Sequence, residues 1–108
     1  MKNFHDPGAY ERRELRITRE IIRSIIAALQ NAGFRDEKLK SLTEEIAFSV
    51  TEAVGSTHID LDDDHLVPIL GFAEGRMRDR LLIPECGGSS LHEYVFGISN
   101  EFFSNEEN

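Results

Sequence analysis

Between Leu15 and Leu29 the large apolar residues are Leu15, Ile17, Ile21, Ile22, Ile25, Ile26 and Leu29. The spacing follows the period of an α-helix, not the alternation of a half-buried strand. The flanks agree. Asp6-Pro7 offers an N-cap followed by proline at the first helical position. Asn31-Ala32-Gly33-Phe34 offers a glycine for the left-handed C′ position and a phenylalanine to fold back on the last turn. A first helix is therefore expected from 7–11 to 32, up to roughly 39 Å long at 1.5 Å per residue.

A second helix is expected from Asp36 to Gly55, with Leu39, Leu42, Ile46, Val50, Ala53 and Val54 on its buried face. Ser41-Leu42-Thr43-Glu44 matches a capping box. It falls inside this apolar pattern, so it is read as coincidence or a kink. A third helix is expected after Asp64, carrying Leu66, Ile69, Leu70, Ala73, Met77 and Leu81 on one arc. Gly71 and Gly75 each weaken it by about 1 kcal/mol relative to alanine. A fourth should follow the Ser90-Leu91-His92-Glu93 capping box, with Leu91, Tyr94, Val95, Ile98 and Phe102 as its stripe.

Four helices joined by short links predict an all-α fold, a small antiparallel four-helix bundle. It would form one domain over 1–108, with 1–6 and 104–108 frayed. The competing pattern is a β-hairpin or meander between about 57 and 83, which would make the fold α+β. Pro68 inside its first run counts against it unless that strand is an edge.

Composition limits function. The chain has 108 residues, 30% of them charged, with a net charge of −8 and a pI near 4.9. That balance disfavours nucleic acid and anionic lipid as partners. The charge is divided: residues 1–40 carry +3 and residues 41–108 carry −11. The two parts can attract each other within one chain or between copies. The single cysteine, Cys86, excludes an internal disulfide and fits a reducing compartment. No apolar run approaches the roughly 20 residues that span a bilayer. The start "MKNFHDPGAYERRE" lacks a secretory apolar segment. The expected location is the cytoplasm, without a membrane.

The stretch "HIDLDDDH" concentrates four aspartates and two histidines within eight residues. Asp60, Asp62 and Asp64 alternate as in the first half of an EF-hand loop. However, His65 stands where that loop needs glycine, and Gly71 where it needs a bidentate glutamate. A looser divalent site using His58, Asp60, Asp62, Asp64 and His65 is the alternative expectation. The primary reading is a polar loop whose aspartates cap the next helix, with no cofactor. The turn Cys86-Gly87-Gly88-Ser89-Ser90 resembles many helix starts. It lacks the lysine of a phosphate-binding loop and a third group to orient His92, so no catalytic residue is assigned.

Two features point to association. Arg12, Arg16, Arg19 and Arg23 lie within about 60° of one another, opposite the isoleucines. Glutamates flank them and no aromatic residues interleave, so a solvated face with local ion pairs, or an acidic protein surface as partner, fits better than nucleic acid. The isoleucine arc spans roughly 180°, wider than packing on one side needs. Phe96 and Phe103 fall outside the fourth helix's main stripe and could form an exposed pair. The sequence-level expectation is a non-catalytic protein acting through protein–protein contact, as a homodimer or with another protein. The alternative is a metal- or small-ligand-binding protein using the His58–His65 loop.

Overall fold

Backbone groups must find partners, and in this chain they do so in two ways. The computed structural model describes residues 2–55, 69–85 and 90–104. Within them the order is β1 (Lys2–Phe4), α1 (Pro7–Asn31), α2 (Asp36–Gly55), β2 (Phe72–Glu74), β3 (Arg80–Leu82), a 3-10 turn (Leu91–Tyr94) and α3 (Val95–Ser104). The strands form one mixed sheet in the order β1-β3-β2. The four-helix bundle is therefore wrong. Among the described residues there are three helices and a three-stranded sheet, an α+β fold.

The first two helices form where the sequence puts them. Asp6 caps α1 by accepting the Ala9 amide at 3.2 Å, and Pro7 occupies the first turn. Gly33 turns the chain at φ 99°, and the Phe34 amide donates to the Leu29 carbonyl at 3.0 Å. The helix α2 starts at Asp36 and runs through Ser41 without a break. The Ser41 box is thus coincidental.

The third predicted helix is not formed over 72–82, where a β-hairpin takes its place. Gly75 sits at φ 90° and Arg78 at φ 55°, and the Arg78 amide donates to the Gly75 carbonyl at 3.1 Å. These left-handed positions make a turn and cannot continue a helix. Phe72, Ala73 and Glu74 pair antiparallel with Leu82, Leu81 and Arg80. Gly71 lies so close to Leu81 that a Cβ there would meet Cδ1 at 3.0 Å. Met77, expected in a buried stripe, is 83% exposed at the turn.

The strand β1 supplies what the hairpin alone lacks. Lys2, Asn3 and Phe4 pair parallel with Arg80, Leu81 and Leu82. Residues 2–4, expected to fray, are therefore hydrogen-bonded into the sheet. The Arg80 guanidinium lies 4.3 Å from the Phe4 ring centroid, a cation–π contact. Tyr10 ties the sheet to α1. Its hydroxyl donates to the Leu70 carbonyl at 2.6 Å, and its ring meets Phe72 edge-on at 5.5 Å.

The helices enclose a core of Ile22, Ala47, Val95 and Ile98, with Leu15, Ile25, Ile26 and Phe102 around it. The α3 segment begins as a 3-10 turn, and the Ser90 side chain makes no capping bond. Its buried residues include Ser99 and Phe103 as well as Val95 and Ile98.

Candidate functional site

The helix α2 does not bury the face that its apolar residues define. Leu39, Thr43, Ala47 and Thr51 are the buried stripe, spaced four apart. Relative to the expected apolar face this stripe is rotated by roughly 70° at 100° per residue. Thr43, Ala47 and Thr51 are small and fully buried, and Ala47 joins Ile22 of α1 and Val95 and Ile98 of α3 in the core. Thr51 satisfies its hydroxyl on the Ala47 carbonyl at 2.7 Å. Thr43 Oγ1 and Ser99 Oγ are buried with no partner among the described residues. The cost of this rotation is exposure of aliphatic surface. Ile46 is 37% exposed and Val50 42%, with Leu42 half-buried beside them.

The same side of α1 is also open. Its buried stripe is Tyr10, Glu14, Thr18 and Ile22. The helix α3 packs on one edge of that stripe, where Leu15 and Ile26 join the core and Arg19 reaches Glu101 at 3.1 Å. Ile17 and Ile21 lie on the other edge and are only half-buried. On α2, Phe48 faces α3 through the Phe96 ring at 5.9 Å, about 160° around the helix from Ile46. Ile17, Ile21, Leu42, Ile46 and Val50 therefore occupy one face of the α1–α2 hairpin, and α3 covers the opposite one. A groove of about 390 Å³ lined by Arg13, Arg16, Ile17, Glu20 and Phe72 adjoins this face where the sheet meets α1. Sequence reasoning assigned Leu42, Ile46 and Val50 to the buried face of α2, and placed Ile17 and Ile21 in an arc wider than packing on one side needs. The overlooked signal was the row of small residues Thr43, Ala47 and Thr51, which marks the buried side of α2.

The predicted site residues divide. Arg19 pairs with Glu101, and Arg23 with Glu20 at 2.9 Å. Arg12 and Arg16 are exposed and form no ion pair among the described residues. A further arginine, Arg13, holds the hairpin through Glu74 at 3.0 Å. Phe96 is 51% exposed, but Phe103 is only 8% exposed, so the two do not form an exposed pair. Phe103 packs inward between the start of α2 and the end of α3, beside Lys40 and Asn100. His58, Asp60, Asp62, Asp64, His65 and Cys86 lie outside the described residues. Among the described residues no three His, Cys, Asp or Glu side chains gather to hold a metal. No described helix is long and apolar enough to cross a membrane.

One carboxylate was missed. Glu14 lies within the apolar arc of α1 and is only 5% exposed. Its Oε2 accepts the Ser90 amide at 2.6 Å. That is the bond a capping box would have given to Glu93. A residue 76 positions away in sequence thus anchors the start of the 3-10 turn. Burial pushes the Glu14 carboxyl above its ordinary range; the Ser90 amide opposes this, and Glu11 and Glu93 add to it. Tyr94 is raised by burial and then by Glu14, Glu11 and Glu93. His92 sets its ring edge-on to Phe48 at 5.7 Å, and its buried Nδ1 has no partner among the described residues. The Glu14 arrangement joins two parts of the fold, α1 and the start of the 3-10 turn.

Comparison with models of protein families, with curated proteins and with solved structures returns no match.

Proposed function

We propose that the chain is a non-catalytic protein that works by binding protein through the open face of its α1–α2 hairpin. The observation that carries this reading is the exposure of Ile46 and Val50 beside a buried row of threonine and alanine. Adjacent branched aliphatic side chains left in water lose roughly 1 kcal/mol or more each of available burial. A partner that covers them recovers it. Basic α1 and acidic α2 border the face, which favours a protein partner with both charges over nucleic acid. A cytoplasmic setting belongs to the same proposal, and the lone cysteine supports it.

The test compares the wild-type chain with the double variant Ile46→Glu, Val50→Glu. A usable face shows itself in one of two ways. Either the wild type has a mass above one chain, or its monomer binds anilinonaphthalene sulfonate. The double variant then loses that property. A wild-type monomer that neither associates nor binds the dye contradicts the proposal.

A further inference from the structure

We infer that the groove between α1 and β2 binds a small organic anion, a carboxylate carried on an aromatic or branched aliphatic body. The site lies apart from Ile46 and Val50, and the inference does not depend on the protein-binding reading of the α1–α2 face.

The groove follows from how β2 meets α1. Phe72 and Glu74 alternate with Ala73 along the strand, so both side chains leave it on one side. That side faces α1. Phe72 sets its ring against Tyr10 at 5.5 Å, and Glu74 takes the Arg13 guanidinium at 3.0 Å. Ile17 follows Arg13 by one helical turn. It is half-buried, as is Phe72, and the two are the apolar lining of a groove of about 390 Å³. Small-molecule sites occupy roughly 300–1,000 Å³, so this one suits a single ring or a short branched chain.

Charge selects the ligand. Arg13, Arg16 and Glu20 line the groove beside Ile17 and Phe72. Both nearby carboxylates are already matched, Glu74 with Arg13 and Glu20 with Arg23 at 2.9 Å. Arg16 is exposed and forms no ion pair among the described residues. One positive charge is therefore left over at the apolar lining. Arg13 adds to it. Its Nε and Nη2 both bond the single oxygen Oε1 of Glu74, at 3.1 and 3.0 Å, so the Nη1 edge lies outside that pair and the guanidinium is already held. A carboxylate at Arg16 gains charge-assisted hydrogen bonds that a neutral group does not. Its apolar body takes Ile17 and Phe72 out of water. The net charge of −8 opposes this only weakly, because exposed charges beyond about 8 Å are screened at physiological salt.

Amide chemical shifts read the site. The probes are phenylacetate, its neutral counterpart phenethyl alcohol, and acetate, which keeps the charge without the ring. Phenylacetate should shift the amides around Arg13, Arg16, Ile17 and Phe72 and approach saturation by about 20 mM. The alcohol should bind about tenfold more weakly, and acetate should not saturate over the same range. Arg16→Gln should weaken phenylacetate about tenfold, to the level of the alcohol, with the melting temperature unchanged. Arg12→Gln removes the same charge from an exposed arginine outside the groove lining, and should leave the affinity within about twofold. The inference is overturned by phenylacetate shifts that do not saturate, by equal binding of the alcohol, or by equal losses in the two arginine variants. Shifts centred on Ile46 and Val50 would also overturn it, and would leave the protein-binding face standing.

Discussion

Replacing Glu14 by glutamine should separate the two opposing effects at this buried position. The carboxylate accepts the Ser90 amide at 2.6 Å and is almost fully enclosed. A hydrogen bond to a charged group contributes about 1.5–3 kcal/mol, and burial of the charge works against it. Glutamine retains an acceptor oxygen and removes the charge. At pH 7 the variant should be as stable as the wild type or up to about 1 kcal/mol more stable. Alanine removes the acceptor as well and should lose about 1–3 kcal/mol. The pH dependence gives the sharper test. Burial raises the folded pKa above the ordinary value of 4.5. The folded chain therefore holds the Glu14 proton more tightly than the unfolded chain. Stability from this group is fully present below pH 4.5 and is lost as pH rises through the raised folded value. Glutamine cannot titrate. Urea unfolding of both proteins from about pH 4 to 8 at one protein concentration should show the wild type losing ground to the variant as pH rises. A difference that moves the other way, or a glutamine variant weaker by more than about 1.5 kcal/mol at pH 7, would refute the reasoning.

Other substitutions probe the remaining joints. Tyr10→Phe removes the hydroxyl bond to Leu70 while keeping the ring on Phe72. It should cost about 1 kcal/mol, with faster amide exchange in β2 and β3 than in the helices. Ala47→Leu overfills the fully buried side of α2 and should lose about 1–3 kcal/mol in thermal or urea melts, whereas Ile46→Leu next to it should change stability by under about 0.5 kcal/mol. Gly75→Ala places a Cβ 2.9 Å from Asp79 Oδ1 at a φ of 90°, and should lower the melting temperature through the hairpin.

The legible part of the fold is the part whose signals are local. Asp6-Pro7, Gly33-Phe34 and the three-to-four spacing between them define α1 without reference to any other segment. The start of α2 at Asp36 follows in the same way. The hairpin was obscured because each strand has only three residues, too few for alternation to outweigh the helical spacing of Ile69, Ala73, Met77 and Leu81. Its decisive partner, Lys2–Phe4, pairs across more than 75 positions, and no local window contains that bond. The candidate surface was hidden for a related reason. Hydrophobicity alone points Ile46 and Val50 inward, whereas the packing of α1 and α3 buries the side bearing Thr43, Ala47 and Thr51. Glu14 was read only as one of the glutamates flanking the arginine stripe, because its partner at Ser90 is a tertiary contact. The arginine stripe was readable as a face. Arg23 finds its carboxylate locally at Glu20, whereas the pairing of Arg19 with Glu101 depended on where α3 lies.

Sedimentation equilibrium of the wild-type chain, from about 1 to 500 µM at low and high salt, tests the central claim most directly. The open face predicts either a reversible rise from 12.3 kDa to twice that mass or a monomer that binds anilinonaphthalene sulfonate, and loss of that property in the Ile46→Glu, Val50→Glu chain. A fixed 12.3 kDa species that binds no dye, or a dimer indifferent to those two substitutions, would contradict it.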